Sequence, residues 1–280
     1  MQKWMLSFLA MAAMLAAAGH AAAQNAGAEP PVSQCLAVAQ ALPNVIFAAA
    51  AADDPLAVPD AVTITFAGHS TYRIESSSGV VVATDFSGVH GAEPPPRVIT
   101  MNRAHSTHYT LSPDARIEVV LPGWNPDGPE PARHNVVVDD VYIRNVTTDI
   151  RGWGDGGMIP DANSIFIFEL AGLCIGHLGH LHHALTEAHY AEIGRLDIVM
   201  VPVDGGLTLS HTGMAEITTR LRSSIVLPMH LRGTRIQSYL SMMSSEFAID
   251  FMDGNSITVT TRDLPARPTI MVPAGLASRG

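Results

Sequence analysis

Three apolar segments of the chain each run into histidine, and this recurrence constrains the fold more than any other feature of the sequence. The segments are residues 98–101, 165–175 and 225–229. Sites in α/β proteins are usually built at the carboxyl ends of strands, and neutral imidazole is a common ligand for zinc. The pattern therefore predicts a metal site at one edge of a sheet. Histidine occurs at or just after each segment, at residues 105 and 108, within residues 177–183 and at residue 230.

Several further segments occur in an order that matches a known family. In chain order they are the 68–71 segment with His69, residues 80–85, the 105–108 loop, residues 177–183, residues 201–205 and residues 228–230. This order resembles the metallo-β-lactamase superfamily, and most of all its branch similar to L-ascorbate-6-phosphate lactonase, over residues 61–231. The resemblance implies an α/β fold, the αβ/βα four-layer sandwich, and a metal-dependent hydrolase.

The metal-binding motif departs from that of the family. The family signature His-x-His-x-Asp-His falls on Arg103, His105, Thr107 and His108. The aspartate that bridges two metal ions in the family falls on His180, and a further family histidine falls near Thr148 or Asp149. The resemblance thus retains His105, His108 and His230, with His180 as a substituted candidate.

The loss of carboxylates favours one divalent metal ion over two, because negative charge lets two cations lie side by side. Zinc is the expected ion and manganese is the alternative. Three imidazoles leave the fourth position of a tetrahedral zinc ion to water, whose pKa such sites lower to about 7. If His180 also binds the ion, the site is closed and becomes structural or weak.

Two further residues are candidates for catalysis. Arg103 stays charged and cannot bind metal, so it either contacts an anionic group of the substrate or points to solvent. Asp85 ends a predicted strand and is a general base, a hydrogen-bond partner of a metal ligand, or an ordinary turn residue. For His69, His177, His182 and His183 the sequence favours core or turn histidines that bond to the backbone.

The sequence leaves three functions open. The first is a hydrolase that activates water against an ester, lactone or phosphoester of a small substrate, with or without an anionic group. The second is a catalytically degenerate member of the fold that binds a small anion or a partner. The third is a histidine-rich metal buffer. The net charge of −10 and the lack of a basic cluster argue against binding nucleic acid, and the oligomeric state stays open.

The amino-terminal region predicts export. Residues 1–23 carry Lys3, an apolar run and small residues, which is typical of a cleavable signal peptide and not of a stable membrane anchor. We expect a secreted or periplasmic protein with an arm at residues 24–60 and one domain at residues 61–275. Cys35 and Cys174 either form a disulfide, as an oxidising compartment allows, or stay as free thiols.

Strand patterns dominate the first half of the predicted domain and helix patterns the second. Successive strands up to residue 146 predict one antiparallel half of a two-sheet sandwich, with a hairpin turn at residues 76–79. Thr186 and Thr212 are the expected caps of two helices, and a short helix is expected at residues 33–41. The loops with Trp124 and Trp153 are either binding loops or segments that their tryptophans pin to the core.

Overall fold

The computed structural model describes residues 31–36, 60–152, 157–231 and 236–277 of the 280 residues. The predicted signal peptide, most of the predicted arm and Trp153 lie outside the described residues. Residues 34–36 form bends, and no helix begins at Ser33, where the sequence predicts one. Within the described part of the chain, no helix is both long and apolar enough to cross a membrane.

The described residues form fourteen strands and four helices. In chain order these are β1 (Val62–Gly68), β2 (Thr71–Glu75), β3 (Val81–Ala83), β4 (Val98–Met101), β5 (Val119–Pro122), β6 (Asn135–Val138), β7 (Val141–Arg151), β8 (Met158–Leu170), β9 (Leu173–His177), α1 (Glu187–Ile193), β10 (Ile198–Pro202), α2 (His211–Leu221), β11 (Ile225–Met229), α3 (Gln237–Met243), β12 (Ala248–Phe251), β13 (Ser256–Val259), β14 (Thr269–Val272) and α4 (Ala274–Ala277).

The strands form two sheets. The six-stranded sheet has the order β13-β1-β2-β3-β4-β5, and the eight-stranded sheet has the order β12-β14-β11-β10-β9-β8-β7-β6. Strand β1 alternates buried and half-buried residues, as a strand with one face on the core does. Every residue of β9, β10 and β11 is buried, which is typical of inner parallel strands covered on both faces.

One apolar core joins the two sheets. It contains side chains of the six-stranded sheet, such as Ile64 and Phe66, together with Phe166 and Phe168 of the eight-stranded sheet. Helix α1 contacts β7 and α2 contacts β10, while the short α4 contacts β1 of the other sheet. This layered arrangement agrees with the predicted αβ/βα sandwich.

The strand positions expected from the sequence are largely confirmed, but their assignment to sheets is not. The β3-β4 and β4-β5 pairs are parallel, and β6 and β7 belong to the second sheet. The prediction of one antiparallel half up to residue 146 is therefore wrong. Alternating burial shows which face of a strand is apolar, but it does not show which sheet the strand joins.

The predicted helix caps have different outcomes. Thr186 caps α1, where its hydroxyl accepts a hydrogen bond from the backbone N–H of His189. Helix α2 is capped by Ser210, two residues before the expected Thr212. Both hydroxyls are preferred caps, so the sequence pattern does not separate them.

The Trp124 loop packs on a small second core. The Trp124 ring meets the Tyr109 ring edge-on with centroids 5.6 Å apart. Both rings pack against a buried cluster made of Ala83, Phe86, Ile99, Met101 and Ile117. This packing agrees with a tryptophan that pins its own loop to the core.

The amino-terminal segment is tied to the eight-stranded sheet by a disulfide. Cys35 is bonded to Cys174 of β9, with Cα atoms 5.9 Å apart. Ser33 and Gln34 donate hydrogen bonds to the Glu169 carboxylate, which also pairs with Arg144. The structure therefore joins the two cysteines, which the sequence left as a disulfide or two free thiols.

Candidate metal centre

The four histidines expected as metal ligands lie together. One ring nitrogen of each of His105, His108, His180 and His230 lies within 4.8 Å of a ring nitrogen of every other. The loop after β4 supplies the first two, the loop after β9 supplies His180, and His230 directly follows β11. The group is assembled at one end of the sandwich, where strands of both sheets end.

His108 is oriented by a buried carboxylate. Its Nδ1 donates to Asp85 Oδ2 at 2.7 Å, and the side-chain N–H of Asn102 donates to Asp85 Oδ1 at 2.7 Å. Burial alone raises the pKa of Asp85, but the charges of His108 and His177 and these hydrogen bonds lower it to about 2. A carboxylate with both oxygens engaged and so low a pKa is a poor proton acceptor. Among the roles considered for Asp85, the geometry favours the positioning of His108 over general-base catalysis.

His230 is oriented in the same way by Asp204, a residue that the sequence pattern did not single out. Its Nδ1 donates to Asp204 Oδ2 at 2.8 Å. Asp204 also accepts hydrogen bonds from the Gly206 and Leu207 backbone and from the Thr208 hydroxyl. Burial opposes ionisation of Asp204, but the hydrogen bonds from His230 and Thr208 lower its pKa. A carboxylate just after a fully buried strand was the available signal.

The second ring nitrogen of each of these histidines, Nε2, is available to bind a metal ion. His108 Nε2 and His230 Nε2 are buried and have no hydrogen-bond partner among the described residues. Because Nδ1–H of each ring is donated to a carboxylate, each Nε2 carries a lone pair. Buried polar atoms without partners are rare and are often explained by an ion or water. A divalent cation therefore fits this donor set.

His105 is linked to His69 through a hydroxyl. The Thr107 hydroxyl lies 2.7 Å from His105 Nδ1 and 3.0 Å from His69 Nε2. Burial and the neighbouring His230 and His108 lower the pKa of His69 to about 3. Its ring centroid is 4.4 Å from that of His230. His69 is thus part of the histidine group, contrary to the expectation of a turn histidine bonded to the backbone.

The remaining histidines of the 177–183 segment differ in their contacts. His177 is buried and bonds to the Ser70 carbonyl, as expected of a core histidine. His182 Nε2 lies 2.5 Å from His180 Nδ1, so it contacts a candidate ligand instead of remaining a simple turn residue. His183 Nε2 is buried and has no partner in the described part of the chain, so this nitrogen does not make the expected bond to the backbone.

Arg103 lies on the surface two residues before His105. Its backbone N–H donates to the Ala162 carbonyl at 3.2 Å, and its side chain is exposed. Within the described residues, no hydrogen bond or ion pair involves its guanidinium. The structure leaves this positive group available to solvent or to an anion.

A cavity of about 480 Å³ lies elsewhere, between β7 and the segment that leads into α1. Its lining includes Thr148, Asp149, Leu181 and His183 but none of the four clustered histidines. No group of metal ligands converges in this cavity among the described residues. We therefore assign the candidate site to the histidine group and not to the cavity.

The fold is shared with several solved structures of low sequence identity. A candidate Zn-dependent hydrolase of the metallo-β-lactamase superfamily from Thermotoga maritima is 24% identical, with a TM-score of 0.53 over 76% of this chain and 98% of that one. Igni18, a metallo hydrolase from Ignicoccus hospitalis, is 18% identical, with a TM-score of 0.51 over 71% and 98%. A candidate metal-dependent hydrolase from Parabacteroides distasonis is 17% identical, with a TM-score of 0.51 over 66% and 89%.

Family membership rests on the sequence match. No curated protein matches the chain. The family model of the beta-lactamase superfamily domain matches residues 63–230, which is more than half of the chain and includes all four clustered histidines. Together with the fold, this match shows that the chain belongs to the metallo-β-lactamase superfamily.

Proposed function

We propose that the protein is a metal-dependent hydrolase that uses one divalent ion, zinc in the first place and manganese as the alternative. His105, His108 and His230 hold the ion, and His180 lies beside it. The observation that carries the proposal is the pair of buried, unpartnered Nε2 atoms on His108 and His230. Both rings are fixed by carboxylates, as metal-binding histidines commonly are.

The residues present suit one ion better than two. A zinc-type ion bound by three neutral imidazoles acts as a Lewis acid and lowers the pKa of water. Asp85 and Asp204 keep Nδ1 of their histidines protonated, and so hold each Nε2 ready to bind. Neither carboxylate faces the Nε2 atoms that would hold the ion, because each is hydrogen-bonded to Nδ1 on the opposite side of its histidine ring.

The substrate class is proposed from the chemistry of the site. An ester, lactone or phosphoester suits water activation, and the family membership supports hydrolysis in general. The exposed Arg103 guanidinium supplies a positive charge for an anionic substrate group. The net charge of −10 leaves nucleic acid an unfavourable partner.

We also propose that the protein is exported. The signal-like sequence of residues 1–23 supports this, as does the Cys35–Cys174 disulfide, since disulfides persist mainly in oxidising compartments. Analysis of the mature amino terminus tests the proposal. Cleavage after Ala23 is expected, and a retained Met1 in protein from the native host would contradict it.

Hydrolysis by the metal-loaded protein tests the proposed function. The chelator-treated protein is reloaded with zinc or manganese and assayed on a nitrophenyl ester, a lactone and a nitrophenyl phosphodiester. Activity should depend on metal and fall at least about 100-fold in His108→Ala, because a lost ligand should cost more than the 10- to 100-fold of an outer partner. The control is His189→Ala on α1. Metal-independent turnover, or full activity of His108→Ala, would contradict the proposal.

A second function, binding of a small anion or partner without turnover, is favoured by one observation. The exposed Arg103 replaces a histidine of the family signature, and its guanidinium has no hydrogen-bond or ion-pair partner among the described residues. The variant Arg103→His separates the two functions. If hydrolysis appears only in that variant, the natural protein is a binder; if the natural protein already turns over, it is an enzyme.

A further inference from the structure

The hydrogen bonds around His182 determine where His180 carries its proton. We propose that His180 is not a metal ligand but presents Nε2–H to the site, as a hydrogen-bond donor to an oxygen atom of the substrate. The inference rests on the proposed function only in taking His105, His108 and His230 as the ligands of the ion.

The backbone N–H of Arg151 determines which nitrogen of His182 carries the proton. It lies 2.6 Å from His182 Nδ1, and a backbone N–H only donates. His182 Nδ1 must therefore be the acceptor and cannot carry a proton. The neutral ring then carries its proton on Nε2, which lies 2.5 Å from His180 Nδ1.

The position of the His180 proton follows from that contact. Because His182 Nε2–H donates to His180 Nδ1, His180 Nδ1 carries a lone pair and the His180 proton lies on Nε2. His180 Nε2 lies 3.2 Å from His105 Nε2. A protonated Nε2 has no lone pair for a metal ion, so the nitrogen of His180 that faces the group is a donor.

In the other three rings the proton lies on Nδ1, and the nitrogen that faces the group, Nε2, is unprotonated. His108 and His230 donate Nδ1–H to carboxylates and turn unprotonated Nε2 atoms inward. His105 Nε2 accepts from His180, so its proton lies on Nδ1, which donates to the Thr107 hydroxyl. That hydroxyl then donates to His69 Nε2. One consistent set of protons gives three inward lone pairs and one inward N–H. An ion held by His105 Nε2 would take the lone pair that accepts from His180, and would leave the His180 N–H free to donate to a substrate oxygen.

This pattern distinguishes the closed from the open form of the site. Four inward lone pairs would suit a closed structural ion, whereas three lone pairs and one donor leave a position for a reacting group. An N–H in a buried site stabilises negative charge on oxygen. The preferred substrate group is therefore an oxygen that gains negative charge during reaction, as in ester, lactone or phosphoester hydrolysis. An aspartate at this position would instead accept, and would repel such an oxygen.

Cobalt titration tests whether His180 is a ligand. Metal-free wild type, His180→Ala, His108→Ala and the control His183→Ala are titrated with Co²⁺ against a competing chelator, and visible absorption reports the coordination. The affinity of His180→Ala should stay within about 3-fold of the wild type with an unchanged spectrum. That of His108→Ala should fall at least about 100-fold, because a lost ligand should cost more than the roughly 10- to 100-fold loss of an outer partner. An equal loss in His180→Ala and His108→Ala would overturn the inference.

A second readout does not depend on metal. Histidine ring ¹⁵N–¹H correlation spectra of the metal-free wild type assign the protonated nitrogen of each ring. Protonated Nε2 on His180 and protonated Nδ1 on His108 and His230 are expected, and a protonated Nδ1 on His180 would overturn the inference. If the wild type binds no cobalt but shows the expected His180 proton, the proposed function fails while the assignment of the donor stands.

Discussion

Three residues at the site hold backbone conformations that side chains rarely adopt. The φ angles of His69, Asp85 and His230 are 52°, 44° and 54°. Positive φ in residues other than glycine carries strain and tends to occur where function requires a particular geometry. Each of the three follows a strand end, so the unusual backbone turns a strand terminus into a support for the histidine group.

The paired carboxylates lead to a prediction about metal affinity. Asp85→Asn and Asp204→Asn keep the side-chain size but remove the charge that fixes the Nδ1 proton of His108 or His230. Each should weaken zinc binding about 10- to 100-fold, as is typical of such partners. Competition titration with a chelator measures this, and Asp140→Asn in the β6–β7 turn is the matched control. Affinities within twofold of the wild type in both variants would contradict the assigned role.

Side chains next to a strand end are more predictable than their partners. The strand ends pointed to three groups of histidine, and the family resemblance selected His105, His108, His180 and His230 among them. The position of Asp204 after a buried strand was a signal, but its partner was not predictable. The roles of His69, His182 and Asp204 depend on contacts with Thr107, His180 and His230 that appear only when separate segments pack. A local sequence pattern contains no information on such distances.

The loop after β9 is locked to the other sheet through a glycine. Gly179 has φ of +61°, and a Cβ there would lie 2.4 Å from both Asn102 Nδ2 and Asn163 Oδ1. Asn102 bonds to Asp85 and accepts from the Ser164 backbone, while Asn163 accepts from the His180 backbone. The glycine therefore permits the contact that places His180 beside the ligands from the six-stranded sheet.

A matched pair of substitutions tests this junction. Gly79 has φ of +86°, and a Cβ there would meet no atom within 4 Å, so Gly79→Ala should lose only about 1–2 kcal/mol from backbone strain. Gly179→Ala adds a steric clash of the kind that typically costs about 1–3 kcal/mol. It should also weaken metal binding, because the clash displaces Asn102, which bonds to the Asp85 carboxylate that orients His108. Urea unfolding measures the two losses. Equal destabilisation of the two variants would contradict the proposed locking of the loop.

The positions of strands and turns were predictable from the sequence, but the neighbours of each strand in the sheets were not. The Ala171–Gly172 turn between β8 and β9 and the helix start at Thr186 follow from local residue preferences. The change of sheet between β5 and β6 does not, because it depends on which apolar face each strand finds in the assembled core.

The whole molecule is cross-linked across most of its described length. The Cys35–Cys174 disulfide joins residues 139 positions apart, and a covalent link over so long a loop strongly restricts the unfolded chain. Replacing both cysteines by serine should lower the free energy of unfolding by about 3–5 kcal/mol. Urea unfolding of the variant and of the reduced wild type should give the same midpoint. A variant as stable as the oxidised wild type would contradict this role.

The buried histidines give the metal-free protein a defined response to acid. Burial, with neighbouring positive groups, lowers the pKa of His69 to about 3 and of His182 to about 4. The unfolded chain takes up these protons near pH 6.5, so below that pH it binds more protons than the folded protein, and stability falls. Above about pH 7.5 both states are neutral and this contribution is constant.

Acid unfolding of the chelator-treated protein checks this sign. The urea midpoint should fall as the pH goes from 7 to 5, a range above the ordinary pKa values of carboxyl groups, which are about 4. A further loss below about pH 4 should follow from Asp85, whose pKa is lowered to about 2. A midpoint that stays constant or rises between pH 7 and pH 5 would contradict this expectation.

We propose above that His105, His108 and His230 bind one common ion. Anomalous diffraction at the zinc edge, from crystals of the zinc-loaded protein, tests it most directly. We expect a single peak about 2.0–2.1 Å from the Nε2 atoms of those three residues, with no bond to His180. A zinc-loaded crystal with no peak among these rings, or with a peak bonded to His180 in place of one of the three, would contradict it.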